Sequence, residues 1–204
     1  VPSAMPFGVA SLQMPLVLVT HDFEDVVRLA THVVVIGRGS TVASGPVTAL
    51  MSRPDLPWLG DTFGPGAVFD ATVASLMPER GLVELSFEKG TLLAAGAGPS
   101  VGTTVRVRVP AREVILATRR PEALSLHNVL PGTVSAIHQE AGSDHVIVQV
   151  ATGGLLLLAQ VTGDAVTRLQ LVGGTGVYAL IKSVSIDLLT SRTVDQEEAG
   201  GEGS

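Results

Sequence analysis

The 204-residue sequence contains no cysteine, which excludes disulfides, thiolate metal sites and a cysteine nucleophile together. Aromatics are almost missing as well: one Trp, one Tyr and five Phe. The core must therefore be aliphatic, and the chain lacks the stacking platforms that hold single-stranded nucleic acid. Charged residues make up only 16%, and the net charge of −6 argues against wholesale binding to nucleic acid. Long apolar runs are absent too. Leu16 to Val19, Val33 to Ile36 and Leu155 to Ala159 fall far short of the ~20 residues of a membrane span. Residues 1–15 have no basic leader and are cut by Pro2, Pro6 and Pro15, a poor signal peptide. A soluble chain is expected.

What is abundant is aliphatic and turn-forming. Hydrophobic residues reach 46%, with 23 Gly and 12 Pro, a mixture too apolar for disorder and suited to short strands. In residues 1–58, Pro15 to Thr20 reads as a strand buried on both faces. Asp22 then caps an amphipathic helix over 23–30 with Phe23, Val26, Val27 and Ala30 on one stripe. Val33 to Ile36 and Ser40 to Ala43 read as further strands, and Gly45-Pro46 opens a helix with Val47, Leu50 and Met51 inward. This is the pattern of the end of a parallel α/β sheet, with too few strands to cover both faces.

Beyond a linker at 59–65 the pattern turns to alternating strands. They read as 68–76, 82–87, 91–95, 105–109 and 114–118, then 132–138, 146–150, 155–161, 176–180 and 184–188, with a short helix over 164–169. Residues 66–120 read as a first OB-like barrel half. Residues 121–190 repeat its strand spacing after the Arg119-Arg-Pro-Glu122 connection. In residues 191–204, Arg192 stands against Asp195, Glu197, Glu198 and Glu202, which predicts a disordered acidic tail.

Four stretches carry two resemblances to known families. Val17-Leu-Val-Thr-His-Asp-Phe-Glu-Asp-Val-Val-Arg-Leu-Ala30 resembles the segment around the switch histidine of ABC-transporter ATPases. That resemblance implies a catalytic His21, but only in a complete ATPase. The chain has no Gly-x-x-x-x-Gly-Lys-Ser/Thr loop to cradle phosphates, and Gly98-Pro-Ser-Val-Gly102 has the wrong spacing and no lysine. ATP and Mg²⁺ are thus implied for the complete family protein and are not expected to bind this chain alone. Ser125-Leu-His-Asn-Val-Leu-Pro-Gly-Thr-Val-Ser-Ala-Ile137, Leu158-Ala-Gln-Val-Thr162 and Val177-Tyr-Ala-Leu-Ile-Lys-Ser183 resemble the Mop module, an OB-like molybdate-binding domain. In this order the two resemble the ATP-binding subunit of a molybdate ABC importer. The resemblance implies a mainly β fold, tandem OB-like (TOBE/Mop) barrels preceded by an incomplete α/β ABC-ATPase lobe. It also implies a molybdate or tungstate ligand, a membrane permease subunit as partner, a homodimer, no nucleic acid, and a cytoplasmic place at the inner face of the membrane.

Molybdate is a tetrahedral dianion, so its site needs hydrogen-bond donors and usually a cation. Ser125, Thr162 and Ser183 offer hydroxyls and Lys182 a charge. His127 stands where family members commonly carry Arg, and Ala165 replaces a family serine; both changes reduce donor strength. The plainer alternatives are a solvated strand-end lysine for Lys182, a turn residue for Ser125 and a surface histidine for His127. His138, His145 and Asp144 make no metal pattern, Glu79 and Glu84 merely flank a turn, and no Gly-x-Ser-x-Gly nucleophile motif occurs. Three rival functions remain at this level: the ATPase of another oxyanion or solute importer, an intracellular molybdate store, and a nucleic-acid-binding pair using Arg106, Arg108, Arg112, Arg119 and Arg120. The last is disfavoured by the missing aromatics.

Overall fold

The computed structural model describes residues 15–56, 64–139 and 143–189. Most of the expected linker and the expected acidic tail at 191–204 lie outside the described residues. Helix α1 (Phe23–Leu29) starts as the sequence suggests, with the Asp22 carboxylate accepting from the Glu24 amide at 2.8 Å. Strands β1 (His32–Gly37) and β2 (Ser40–Pro46) follow, then helix α2 (Val47–Met51), whose Val47, Leu50 and Met51 are buried.

Two expectations for this lobe are corrected. Residues 15–20 form no strand, and Val17 and Val19 are 86% and 94% exposed. No strand among the described residues lies beside them to take up their backbone groups. Nor is the sheet parallel: β1 and β2 pair as an antiparallel hairpin. The reason is local. Arg38 and Gly39 both have positive φ, 49° and 78°, as the tight turns that match strand twist require. Val35 and Ala43 point inward while Val34 and Ile36 are exposed.

The β region is built twice on one plan. Its first half contains β3 (Gly66–Met77), β4 (Leu82–Phe87), β5 (Gly90–Ala95), β6 (Thr104–Pro110) and β7 (Val114–Ala117). The second contains β8 (Asn128–Gln139), β9 (His145–Thr152), β10 (Leu155–Thr162), β11 (Gly176–Ile181) and β12 (Asp187–Leu189), with helix α3 (Gly163–Arg168) after β10. In each, a long strand pairs on one side with a meander and on the other with the fourth strand. The fifth strands are exchanged, giving the orders β12-β6-β3-β4-β5 and β10-β9-β8-β11-β7. The expected strand over 184–188 is replaced by a 3-10 turn, Ser183–Ser185, followed by β12. A matching turn, Ala111–Glu113, precedes β7. Both long strands carry a bulge at the same point, between Val73 and Ser75 and between Val134 and Ala136. Such bulges increase twist and let a sheet curl, and β10 approaches β7 across the curl. The result is the expected mainly β, OB-like architecture.

One aliphatic core serves both halves, running from Val73, Leu85 and Val107 to Val148, Leu157 and Ile181. Full burial of each large aliphatic side chain contributes about 1.5–3 kcal/mol. A smaller cluster packs Val27, Val47, Leu50 and Met51 of the lobe on Val68 of β3 and Leu189 of β12.

Candidate functional site

The exchange of fifth strands shapes the region where the candidate ligand-binding residues meet. Asn128 and Ile181 are the last pair of the β8–β11 ladder. His127 and Lys182 therefore stand one residue beyond it, side by side at the strand ends. Lys182 is exposed and precedes the 3-10 turn, its carbonyl accepting from the Ser185 amide at 3.0 Å. Ser183 is only 7% exposed, and its Oγ lies 3.1 Å from His127 Nδ1. Three of the five candidate ligand residues, His127, Lys182 and Ser183, are thus brought together. Ser125 is exposed on the approach to β8. Thr162 is placed elsewhere: it ends β10, across β9 and β8 from β11, and its hydroxyl accepts from the Ala165 amide at 3.1 Å to cap α3. His21 is exposed in the turn before α1.

A residue that the sequence reading passed over fixes this geometry. Asn128, 4% exposed, accepts from the Leu93 amide at 2.7 Å and donates to the Leu93 carbonyl at 3.0 Å and the Ile181 carbonyl at 3.2 Å. It ties the start of β8 to β5 of the other half and to the strand that leads into Lys182. A buried amide with all its partners holds neighbouring groups in register. The signal was in the sequence: a polar residue opening a strand whose neighbours are apolar.

Chemically, the paired His127 ring and Ser183 hydroxyl and the neighbouring residue Lys182 are of the types that can donate to an anion. The face of β6 carries two more cations, Arg106 and Arg108, whose bonds are internal. Arg106 donates to Asp70 at 3.1 Å and to the Val27 and Ala30 carbonyls at 3.1 and 2.6 Å. Arg108 reaches Asp187 at 3.4 Å; burial lowers its pKa and the Asp187 carboxylate opposes that shift. These two arginines thus hold protein groups. A cavity of about 460 Å³ lies between α1 and β12, lined by Phe23, Val27, Arg108 and Asp187 among others, and not by the His127–Ser183 pair. No group of three or more potential metal ligands occurs among the described residues.

Residues 124–188 match the family model of the TOBE domain. The chain is 40% identical to the molybdenum import ATP-binding protein ModC of Granulibacter bethesdensis, over 86% of this chain and 49% of that protein. It is 37% identical to the ModC protein of Mesorhizobium japonicum, over 86% and 47%, and 38% identical to that of Methylococcus capsulatus, over 86% and 49%. The chain thus spans about half the length of the curated relatives it matches. Among solved structures it is similar to the cytoplasmic molybdate-binding protein ModG with molybdate bound. The TM-score is 0.54 and the identity 31%, over 59% of this chain and 93% of that one.

Proposed function

The chain belongs to the family of molybdenum import ATP-binding proteins, as the end of an ATPase domain followed by a TOBE domain, and on that footing we propose that its second barrel is an oxyanion sensor for molybdate or tungstate. The observation that carries this is the buried Ser183 held at 3.1 Å from His127 beside the exposed Lys182. A tetrahedral dianion at these strand ends would take a charge-assisted bond from Lys182 and neutral donors from Ser183 and His127. Ser125 closes the site from the loop before β8, and Thr162 contributes across a neighbouring copy in a homodimer. The sensor occupies residues 121–190, with 66–120 as the scaffold half.

In the complete importer the ATPase would work with a membrane permease subunit at the inner face of the membrane. Bound anion would favour one arrangement of two ATPase subunits and slow import when the cell is replete. No helix among the described residues is long and apolar enough to cross a membrane. The sequence holds no Gly-x-x-x-x-Gly-Lys-Ser/Thr loop, so ATP and Mg²⁺ are assigned to the complete family protein and are not expected to bind this chain alone. A molybdate store would have no use for the lobe that carries His21.

Titration calorimetry with molybdate, tungstate, sulfate and phosphate tests the reading. Molybdate or tungstate should bind in preference to sulfate. Lys182→Ala should weaken binding ten- to a hundredfold, since a charge-assisted bond contributes about 1.5–3 kcal/mol and each decade is about 1.4 kcal/mol. Sulfate binding as tightly as molybdate, or an unaltered Lys182→Ala isotherm, overturns it.

A further inference from the structure

We infer that Arg106 is the positioning residue through which occupancy of the anion site in the second barrel reaches α1 and the His21 turn at its start, an inference that rests on the sensor reading above. The route is short and built from bonded elements. Ser183 begins the 3-10 turn, and Ile186, 5% exposed, anchors the end of that turn in the shared core. Next comes β12, which leaves its own half and pairs with β6 of the other. Asp187 sits opposite Arg108 and Leu189 opposite Arg106. Arg106 then grips the last turn of α1 through the Val27 and Ala30 carbonyls, and its Nε is held by Asp70 of β3. A cation on the final carbonyls of a helix meets groups that have no partner within the helix. Asp22, which caps the other end of the same helix, directly follows His21.

Two features make Arg106 the adjustable link. Leu189 joins the Val27 cluster, but a cavity of about 460 Å³ lined by Phe23, Glu24 and Val27 of α1 and by Asp187 and Leu188 of β12 interrupts the packing of the helix on that strand. Val27 is the one fully buried residue of α1, with Phe23 and Val26 packed against the same cluster, and the guanidinium bonds add a polar hold at the end of the helix. The repeat also supplies an internal control. The position matching Arg106 in the second half is Tyr178, opposite Ala117 of β7. No cation there holds a helix. The hold on a helix is therefore specific to the pairing of β12 with β6, and the pairing of β7 with β11 has no counterpart to it.

Hydrogen exchange on the whole 204-residue chain, with and without saturating molybdate, tests the link. In the native chain molybdate should slow exchange of the amides of residues 26–30 about fivefold or more, the lower end of typical coupling between sites. In Arg106→Ala that response should vanish while the calorimetric affinity for molybdate stays within about twofold. Arg106→Lys keeps the charge but cannot bridge two carbonyls and Asp70 together, so most of the response should be lost there too. If Arg106→Ala leaves the α1 amides unprotected from the start, Arg106→Lys decides, with Asp187→Asn as the independent cut on the β12 side. A native chain that binds molybdate without slowing residues 26–30 overturns the link and leaves the sensor standing. So does an undiminished response in Arg106→Lys. A chain that binds no molybdate overturns the sensor reading and the link with it.

Discussion

The two halves of the β region share strand order, bulge position, exchanged fifth strand and 3-10 turn, yet they differ where chemistry is possible. Superposing the ladders by register places Ala67 on Asn128 and Val109 on Ile181. One residue outward, Gly66 and Pro110 of the first half match His127 and Lys182 of the second, and Ala111 matches Ser183. The first half thus offers neither hydroxyl, imidazole nor ammonium at the strand ends. It is also closed sterically: a Cβ on Gly66 would lie 2.8 Å from the Val109 carbonyl oxygen and 3.1 Å from the Pro110 Cα. The repeated fold thus places hydrogen-bonding side chains at these strand ends in only one of its two copies.

The largest effect tests whether the halves are one cooperative unit. Leu85 of β4 and Leu157 of β10 are both fully buried in the common core. Leu85→Ala and Leu157→Ala should each cost about 2–5 kcal/mol, the usual range for a leucine truncated inside a core. Because β7 and β12 are exchanged, Leu85→Ala should also lower protection at residues 146–150 of the second half. Urea unfolding followed by circular dichroism, with hydrogen exchange of that strand, should show a single shifted transition. If residues 146–150 keep native protection in Leu85→Ala, the halves are independent.

A smaller effect separates the halves at one pair of positions. Asn128→Ala takes this partner from the amide and carbonyl of half-buried Leu93 and from the buried Ile181 carbonyl, and leaving a buried polar group unsatisfied costs about 1–3 kcal/mol. Thermal unfolding should report a loss of this size. Ala67, 1% exposed at the matching place, has no room for the same amide. Ala67→Asn should therefore destabilise by about 1–3 kcal/mol through overpacking. An Ala67→Asn chain as stable as the native one would show that the first half could hold the same clamp.

Local patterns made the repeat legible, and long-range pairing hid the rest. Alternation gave β4 its observed bounds and came within two residues at either end for β3, β5, β6 and β9. The cap at Asp22 and the inward face of α2 were visible because both depend on near neighbours. The exchange of the fifth strands was not, although the strand expected over 114–118 is β7 to within one residue. β7 and β12 are four and three residues long, and their partners lie in the other half, where no local pattern records them. Residues 15–20 misled for the opposite reason: an aliphatic run looks like a buried strand whether or not a neighbouring strand is there. At the site, the donors Lys182 and Ser183 were readable as residue types. The Asn128 clamp and the two carbonyls held by Arg106 became visible only once β5, α1 and β6 were placed.

The smallest effect concerns the hydroxyl itself. Ser183→Ala removes a neutral donor and leaves Lys182 and His127 in place, so molybdate affinity should fall only about two- to tenfold, equivalent to about 0.5–1.5 kcal/mol. His127 loses its partner at 3.1 Å in the same variant, and its ring is then free to turn. His127→Arg should move affinity the other way, because a guanidinium adds a permanent charge and a planar fork that an imidazole lacks. The reciprocal change in the first half, Ala111→Ser, should create no second binding event. Its hydroxyl would stand next to Pro110, which supplies no cation and which pairs with Gly66, a residue that backbone contact keeps bare. Calorimetric stoichiometry distinguishes the outcomes. One anion per chain in both the native protein and Ala111→Ser is expected, whereas a second site in Ala111→Ser would mean that a hydroxyl alone suffices and that Lys182 is not what separates the halves.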